Sequence, residues 1–392
     1  METTDVVVIG GGIIGCSIAR ELAKADQSVV LLERAGIASA ASGRNHGLIM
    51  YPQNEVTGDL HGRSLEIYRE LVAGSPVDVE MDDEPRGFLI VVGEESSWAP
   101  AEREARATEV GGIKVEKVEP DELYRLEPNL RQGLLGGWRM EDGYRTDPAA
   151  LTLATAIDAV ESGADVRTHV DVKSILNDGS RVRGVATDAG VIQSPVVVNA
   201  AGPWAPKLAR SVGFEVPIVG GRGWLILTRS TADVAHHLIE SPGWHLMGGE
   251  SGPPPVTVGA YGDGSGPRPA DRGVLIQQNP GGSVLIGGSR KTSIMDDPED
   301  PEITKEIASD AAALLPALSR LQLVSAWSGV RPMTPDGLPL IGWMEGLEGY
   351  FLAGGHGGQG IILGAGTGKL VAQMITQQEP FCDPAPFSPG RF

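Results

Sequence analysis

The chain opens on DVVVIG at 5–10, a short unbroken apolar run, followed by IIGCSIARELAKA, whose apolar positions recur at helical spacing, and by SVVLLE, a second apolar run closing on Glu33. Strand, glycine turn, helix and strand in that order predict a βαβ unit. The lack of alternation within the strands predicts burial on both faces, as in a parallel sheet. VVVNAAG at 196–202 reads as a further strand of this kind. YFLAGGHGGQGIILGAGTGKLVAQMI at 350–375 repeats strand, glycine turn and helix. Between these blocks the period changes. From about 85 to 140 there are short strands such as GFLIVV and a charged helix around Glu102 to Val110. DPAALTLATAIDAVESG predicts a helix with Asp147 as N-cap, Pro148 at its first position and Gly163 beyond its end. The runs GWLILT, VTVGAY, GVLIQQ and SVLIGG, separated by Gly and Pro clusters, predict antiparallel strands, and EITKEIASDAAALLPAL (302–318) predicts a helix.

These elements predict an α/β chain in two parts. A doubly wound domain is assembled from 1–84, 141–215 and 321–392. A substrate domain over 85–140 and 216–320 carries a large mixed, mostly antiparallel sheet. A length of 392 residues suits two domains, and 54 glycines suggest many turns and close backbone approaches to a ligand. The excess of 51 acidic over 32 basic residues, a formal charge of −19, argues against a nucleic-acid partner. Cys16 and Cys382 are the sole cysteines and form no CxxC pair, so neither a disulfide framework nor a cysteine metal site is expected, and a reducing cytoplasm fits. No HExxH, paired helical His or acidic calcium loop suggests a metal. No apolar run reaches 18 residues and no basic leader precedes the first strand, so neither a transmembrane segment nor a signal peptide is expected.

The sharpest local signal is Gly10-x-Gly12-x-x-Gly15 between the first strand and helix, with Glu33 ending the next strand. Gly10 permits the turn, Gly12 lets backbone approach a pyrophosphate, and Gly15 allows close helix packing. The helix N-terminus favours phosphate, and a carboxylate at Glu33 suits ribose hydroxyls while disfavouring a 2′-phosphate. The position of the fingerprint at the start of the chain favours FAD over NAD. So does the second glycine turn at 354–366, whose helix could face the N1 and C2 carbonyl of a reduced flavin.

Five blocks in this order, VVVIGGGIIGCSIARELA, ASAASGRNHG, VVNAAGPWAPKLA, SGVRPMTPDGLPLIG and AGGHGGQGIILGAGTGKLVA, resemble the D-amino acid oxidase (DAO) family of FAD-dependent oxidoreductases over nearly the whole chain. That family includes glycine oxidase, sarcosine oxidase and D-amino acid dehydrogenases. The resemblance implies that Gly10, Gly12, Ile13, Ile14, Gly15, Glu33 and Arg34 hold the ADP half. Ser42, Gly43, Arg44 and Asn45, followed by His46 and Gly47, would line the pyrophosphate and the flavin edge. Val172 would meet the adenine through its backbone, while Ala200, Gly202 and Trp204 would pass beneath the ribityl chain. Gly355, His356, Gly357, Gly358, Gln359 and Gly360 would contact the pyrimidine side of the ring.

Arg331 matches the family arginine that anchors the substrate carboxylate through a bidentate fork. Histidine attachment of FAD in relatives occurs in a TWH context, whereas His46 lies in RNHG, and Cys382 lies well past the C-terminal flavin loop, so the FAD is expected to be non-covalent. Tyr51, Trp224, His245 and Tyr261 are candidates to roof the pocket, with Tyr51 favoured as a catalytic neighbour beside Arg331 and His46. The implied reaction is oxidation of the C–N bond of a small amino acid or N-substituted amino acid by hydride transfer to flavin N5. Oxygen or an electron carrier is the acceptor. The alternatives are a 2-hydroxy acid or glycerol-phosphate dehydrogenase, and a flavin-bearing electron-transfer subunit in a homo- or hetero-oligomer. Phosphate substrates call for extra basic residues in the pocket, and the acidic chain shows few obvious ones. Where relatives carry a polar or basic residue in the terminal GH…G turn, this chain has Gly357, Gly358 and Gln359, which leaves the exact substrate open.

Overall fold

The valine-rich runs form one sheet because strands without polar positions can be satisfied only between two covered faces. The computed structural model describes residues 2–50, 55–241, 271–292 and 300–392. Among these, six strands lie in the order Leu340–Trp343, Tyr350–Gly354, Val196–Asn199, Val6–Ile9, Val29–Glu33 and Asp165–Thr168. All neighbours are parallel except the antiparallel first pair, and Val8 stands level with Leu31 on one side and Val198 on the other. The chain moves outward from the central strand first one way and then the other, the doubly wound topology.

Side-chain alternation divides the sheet between two cores. Val6, Val8, Leu31, Val198 and Phe351 pack against Cys16, Ile18 and Leu22 of the helix Ile13–Lys24 and against Leu363 and Leu370 of Gly360–Ile375. Val7, Ile9, Val30, Leu32 and Val197 face Ile175, Val182 and Ile192 of a small four-stranded sheet. The helix Pro148–Glu161 starts as expected: Asp147 accepts the amides of Ala149 and Ala150, each at 2.9 Å.

The second sheet holds eight strands among the described residues, in the order Leu323–Met333, Val219–Thr228, Val284–Thr292, Asp271–Gln278, Leu238–Ser241, Phe88–Val92, Gly136–Met140 and Val115–Val118. It is antiparallel except where Leu238–Ser241 runs parallel to Phe88–Val92. Trp224, Ile226, Val274 and Ile286 pack beneath Ile303, Ile307 and Leu314 of the helix Pro301–Leu314. That helix is shorter than the expected 302–318. Pro316 has no N–H and forces its predecessor out of the helical region, so Leu315 is extended at φ −126, ψ 86 and Pro316–Arg320 forms a separate 3₁₀ turn. The charged helix begins earlier than expected, at Trp98, and ends at Glu109. The run VTVGAY with Tyr261, as well as Tyr51 and His245, lies outside the described residues. No described helix is long and apolar enough to cross a membrane.

The helix Gly360–Ile375 approaches its neighbours through glycines. A Cβ on Gly366 would overlap the backbone carbonyl of Leu60, and one on Gly368 the backbone of Ser17. Gly366→Ala is therefore expected to destabilise the chain by about 1–3 kcal/mol through overpacking. The check is thermal unfolding beside Gly62→Ala, where a Cβ meets nothing within 4 Å. Equal unfolding temperatures for the two variants would contradict the close packing.

Candidate active site

Four parallel strands end side by side at Ile9, Glu33, Asn199 and Gly354, the edge where open α/β sheets bind ligands. A cavity of about 1190 Å³ runs from this edge to the second sheet, bordered by Gly10 and Gly12 at one end and by Gly223, Leu225 and Arg331 at the other. That volume exceeds the usual range for a drug-sized ligand and suits a dinucleotide plus a small substrate.

The glycine turn is built by exclusion of side chains. Gly10 sits at φ +114, and a Cβ on Gly15 would overlap the Gly10 carbonyl oxygen, so the helix Ile13–Lys24 meets the strand end only because both positions are bare. Ser42 Oγ accepts the Ile13 amide at 2.9 Å and ties the following loop to the helix start. Glu33 is fixed by backbone amides. One carboxylate oxygen accepts from Gly11 at 2.7 Å and the other from Ala35 at 2.8 Å, which aims the group into the cavity. Beside it, the Arg34 guanidinium stacks 3.8 Å from the Trp204 ring centre.

The loop at 39–47 braces itself. The Asn45 side chain donates to the carbonyls of Ala41 and Ser42 and accepts the Gly47 amide at 2.7 Å, while Arg44 donates to Ser39 and Ser328 carbonyls. This presents His46 to the second sheet, where a Cβ on Gly287 would collide with its ring. His46 is half-buried, with both ring nitrogens shielded from solvent. Burial, and then the charge of Arg331, push its pKa down to about 3, so it is neutral at physiological pH. Neither of its ring nitrogens has a hydrogen-bond partner among the described residues.

Arg331, on the strand Leu323–Met333, lies across bare Gly223 of the neighbouring strand, where a Cβ would stand 3.0 Å from its Cζ. Its Nη1 donates to the Ser289 carbonyl at 3.4 Å. Burial first, and then nearby Arg290, lower its pKa from 12.5 to about 9, which leaves it charged at neutral pH. The turn before the helix Gly360–Ile375 closes over it, with a Cβ on Gly358 falling 3.7 Å from its Nε. In that turn His356 is held through Nε2 to Thr367 at 3.1 Å, while its Nδ1 and the Gln359 Oε1 are buried without partners among the described residues.

The expected residues Gly10, Gly12, Ile13, Ile14, Glu33, Arg34, Ser42, Arg44, Asn45, His46, Val172, Ala200, Gly202, Trp204, Arg331, His356, Gly357, Gly358, Gln359 and Gly360 thus share one cavity wall. Gly15, Gly43, Gly47 and Gly355 stand behind it. A Cβ on each would strike, in turn, the Gly10, Ala38 and Thr146 carbonyls and the Thr334 methyl, so their bareness serves protein packing. Trp224 points the other way, into the core beneath the second sheet, because it alternates with Gly223. The expectation of few basic residues near the substrate end is corrected: Arg44, Arg222 and Arg290 line the cavity with Arg331, drawn from four separate segments that a linear reading does not connect. The alternate glycines of VGGRGW were the available signal for a bare strip on a strand.

A long cavity, a glycine cradle at a helix N-terminus, an acidic strand end and buried unpartnered polar atoms at the far turn fit an FAD, whose adenosine Glu33 and Arg34 would hold and whose ring His46 and His356 would face. The sequence profile of the FAD-dependent oxidoreductase (DAO) family matches residues 5–374. The chain is 29% identical to glycine oxidase of Pseudomonas aeruginosa over 396 residues, covering 98% of each. It is 28% identical to the hydrogen cyanide synthase subunit HcnC of Pseudomonas protegens, covering 99% of this chain and 96% of the other. The crystal structure of glycine oxidase from Geobacillus kaustophilus superposes with a TM-score of 0.85 at 25% identity, covering all of both chains.

Removing the Glu33 carboxylate frees two backbone amides and takes away a charge-assisted acceptor, so Glu33→Ala is expected to weaken FAD retention by about 10-fold or more. FAD content on purification and titration of the apoprotein measure it, and full occupancy at unchanged affinity would contradict the assignment. Acid precipitation of the unaltered protein is expected to leave the flavin in the supernatant. Colour in the pellet would point to attachment at His46.

Proposed function

The chain belongs to the DAO family of FAD-dependent oxidoreductases, and on that footing we propose that it oxidises the C–N bond of a small amino acid or N-substituted amino acid. The observation that carries this reading is Arg331, a half-buried arginine facing the cavity beneath the turn at 357–360. A planar guanidinium fork facing a cavity favours a carboxylate, which it can meet through two parallel N–H groups.

Arg331 would hold the substrate by that carboxylate and so fix the α-carbon against the ring position. Bound FAD supplies a two-electron acceptor for the hydride of that carbon. Loss of the hydride and of a nitrogen proton leaves an imine, which water hydrolyses to an oxo acid or aldehyde with release of ammonia or an amine. His46 sits beside the same position as a neutral hydrogen-bonding group. With a pKa near 3 it does not hold a proton as imidazolium at neutral pH, so in this reading His46 is not the acceptor of the ammonium proton. The helix Gly360–Ile375 directs its N-terminus at the turn, where its dipole would favour negative charge. In this reading the six-stranded sheet carries the cofactor and the eight-stranded sheet the substrate. The resemblance to a named enzyme subunit supports a second reading, in which electrons pass on within a hetero-oligomer. Copurification of a second polypeptide would favour it.

Arg331→Ala is expected to retain FAD and to lose kcat/KM for carboxylated amines by about 30- to 1000-fold, the cost of unpairing a partly desolvated charge pair. Lys should restore only part of this, because a point charge lacks the fork. Turnover of an amine without a carboxylate should hardly change. Equal losses on both substrates, or loss of flavin, would make Arg331 a structural residue. A separate check is the pH profile: the acid limb of kcat/KM should follow the substrate ammonium and stay within about 0.3 units in His46→Gln. A limb that vanishes in this variant would make His46 the proton acceptor.

A further inference from the structure

The loop that carries His46 continues into a two-stranded ribbon, Leu48–Ile49 against Tyr144–Arg145, and the Thr146 amide donates to the Gly47 carbonyl at 2.8 Å. Arg145 in this ribbon is buried but is not among the residues that line the cavity. Its Nε and Nη2 donate to the two carboxylate oxygens of Asp82 at 2.9 and 2.6 Å, and its backbone amide donates to Asp82 at 2.8 Å. The remaining arm, Nη1, donates to the backbone carbonyl of Gln278, at the end of Asp271–Gln278 in the second sheet. That carbonyl is a firm foothold. The Gln278 side chain accepts the amides of Val234 and Ala235 at 2.7 and 3.1 Å and donates to the carbonyls of Ala232 and Gly282. In the ladder Gln278 stands opposite Val284, three residues before Gly287, the bare position against which the His46 ring rests. At about 3.3 Å of rise per residue the two contacts lie about 10 Å apart along the sheet.

We propose that Arg145 is a positioning residue for the reaction: it fixes the ribbon to the second sheet and so sets where the His46 ring stands beside the substrate. This rests on the amino-acid reading above. Asp82 meets the guanidinium through both of its oxygens, which makes Arg145 an anchor within the protein. Three donors on one planar group fix direction as well as distance, as a lysine ammonium does not. His46 needs such an anchor because neither of its ring nitrogens is hydrogen-bonded among the described residues, so the backbone that carries the ring determines its place. On its other side the ribbon is tied to the cofactor sheet and its helices: Ile49 packs with Ile13, Tyr68 and Leu151, and Asp147 caps the helix Pro148–Glu161.

Two measurements on the holoenzyme test this, with Arg145→Lys as the first variant and Asp82→Asn as the second should the first fold poorly. Labelling by diethyl pyrocarbonate, read at each histidine by mass spectrometry, reports the place of His46 without turnover. The variants should raise labelling of His46 by about 5-fold or more, as its ring loses its fixed seat, while buried His356 stays as protected as before. Unchanged labelling of His46, or an equal rise at His356, would overturn the proposal. The second measurement uses the amino acid that reduces the flavin fastest. There kcat should fall by about 5- to 50-fold with KM within about 2-fold, and the same substitution in a His46→Gln background should cost less than about 2-fold. Equal losses in both backgrounds, release of the flavin, or a His46→Gln variant as fast as the unaltered enzyme would leave Arg145 a brace of the fold alone. Should no amino acid reduce the flavin, the amino-acid reading falls, and the labelling result by itself decides whether Arg145 places His46.

Discussion

A charged guanidinium set half-buried in the cavity wall is the constraint to which the rest of the site answers. Arg331 reaches its position only because Gly223 has no side chain and because the turn at 357–360 covers it with little more than backbone. Its partial burial costs free energy, which contacts such as that with the Ser289 carbonyl offset. The same charge adds to the burial that keeps His46 neutral, so Arg331 bears on its neighbour's protonation state as well as on the electrostatics of the pocket.

At the other end of the cavity the problem is steric. Pyrophosphate needs backbone close by and a helix N-terminus aimed at it, and both require that Gly10 and Gly15 touch with no Cβ between them. Glu33 is held by two amides before any ligand arrives, so its orientation is built into the strand end. The two ends are joined by the 39–47 loop, which is anchored to the helix start through Ser42 and presses His46 against Gly287. A short piece of self-braced chain thereby ties the glycine cradle to the second sheet.

The sequence pattern made the parallel sheet and its fingerprint legible because both are local: unbroken valine runs have one structural solution, and a glycine turn between strand and helix has few. Asp147 and Pro148 announced their helix for the same reason. The end of the helix at Leu314 was misjudged by four residues, although Pro316 carried the signal. What was not legible is what depends on strand pairing. Arg290 and Arg331 are 41 positions apart and Gly223 lies far from both, so the cavity wall they share exists only once the register of three strands is known. Gly43, Gly47 and Gly355 differ again: the family resemblance implied ligand contact there, and in the structure each is bare to admit a carbonyl or a methyl of the protein itself.

Amine oxidation is tested most directly by mixing the purified holoenzyme anaerobically with a panel of amino acids, N-methyl amino acids, 2-hydroxy acids and glycerol 3-phosphate, following the flavin absorbance. Bleaching by carboxylated amines, and by none of the hydroxy compounds, is the expected result. Bleaching by a hydroxy acid or by glycerol 3-phosphate while every amine leaves the flavin oxidised would contradict it.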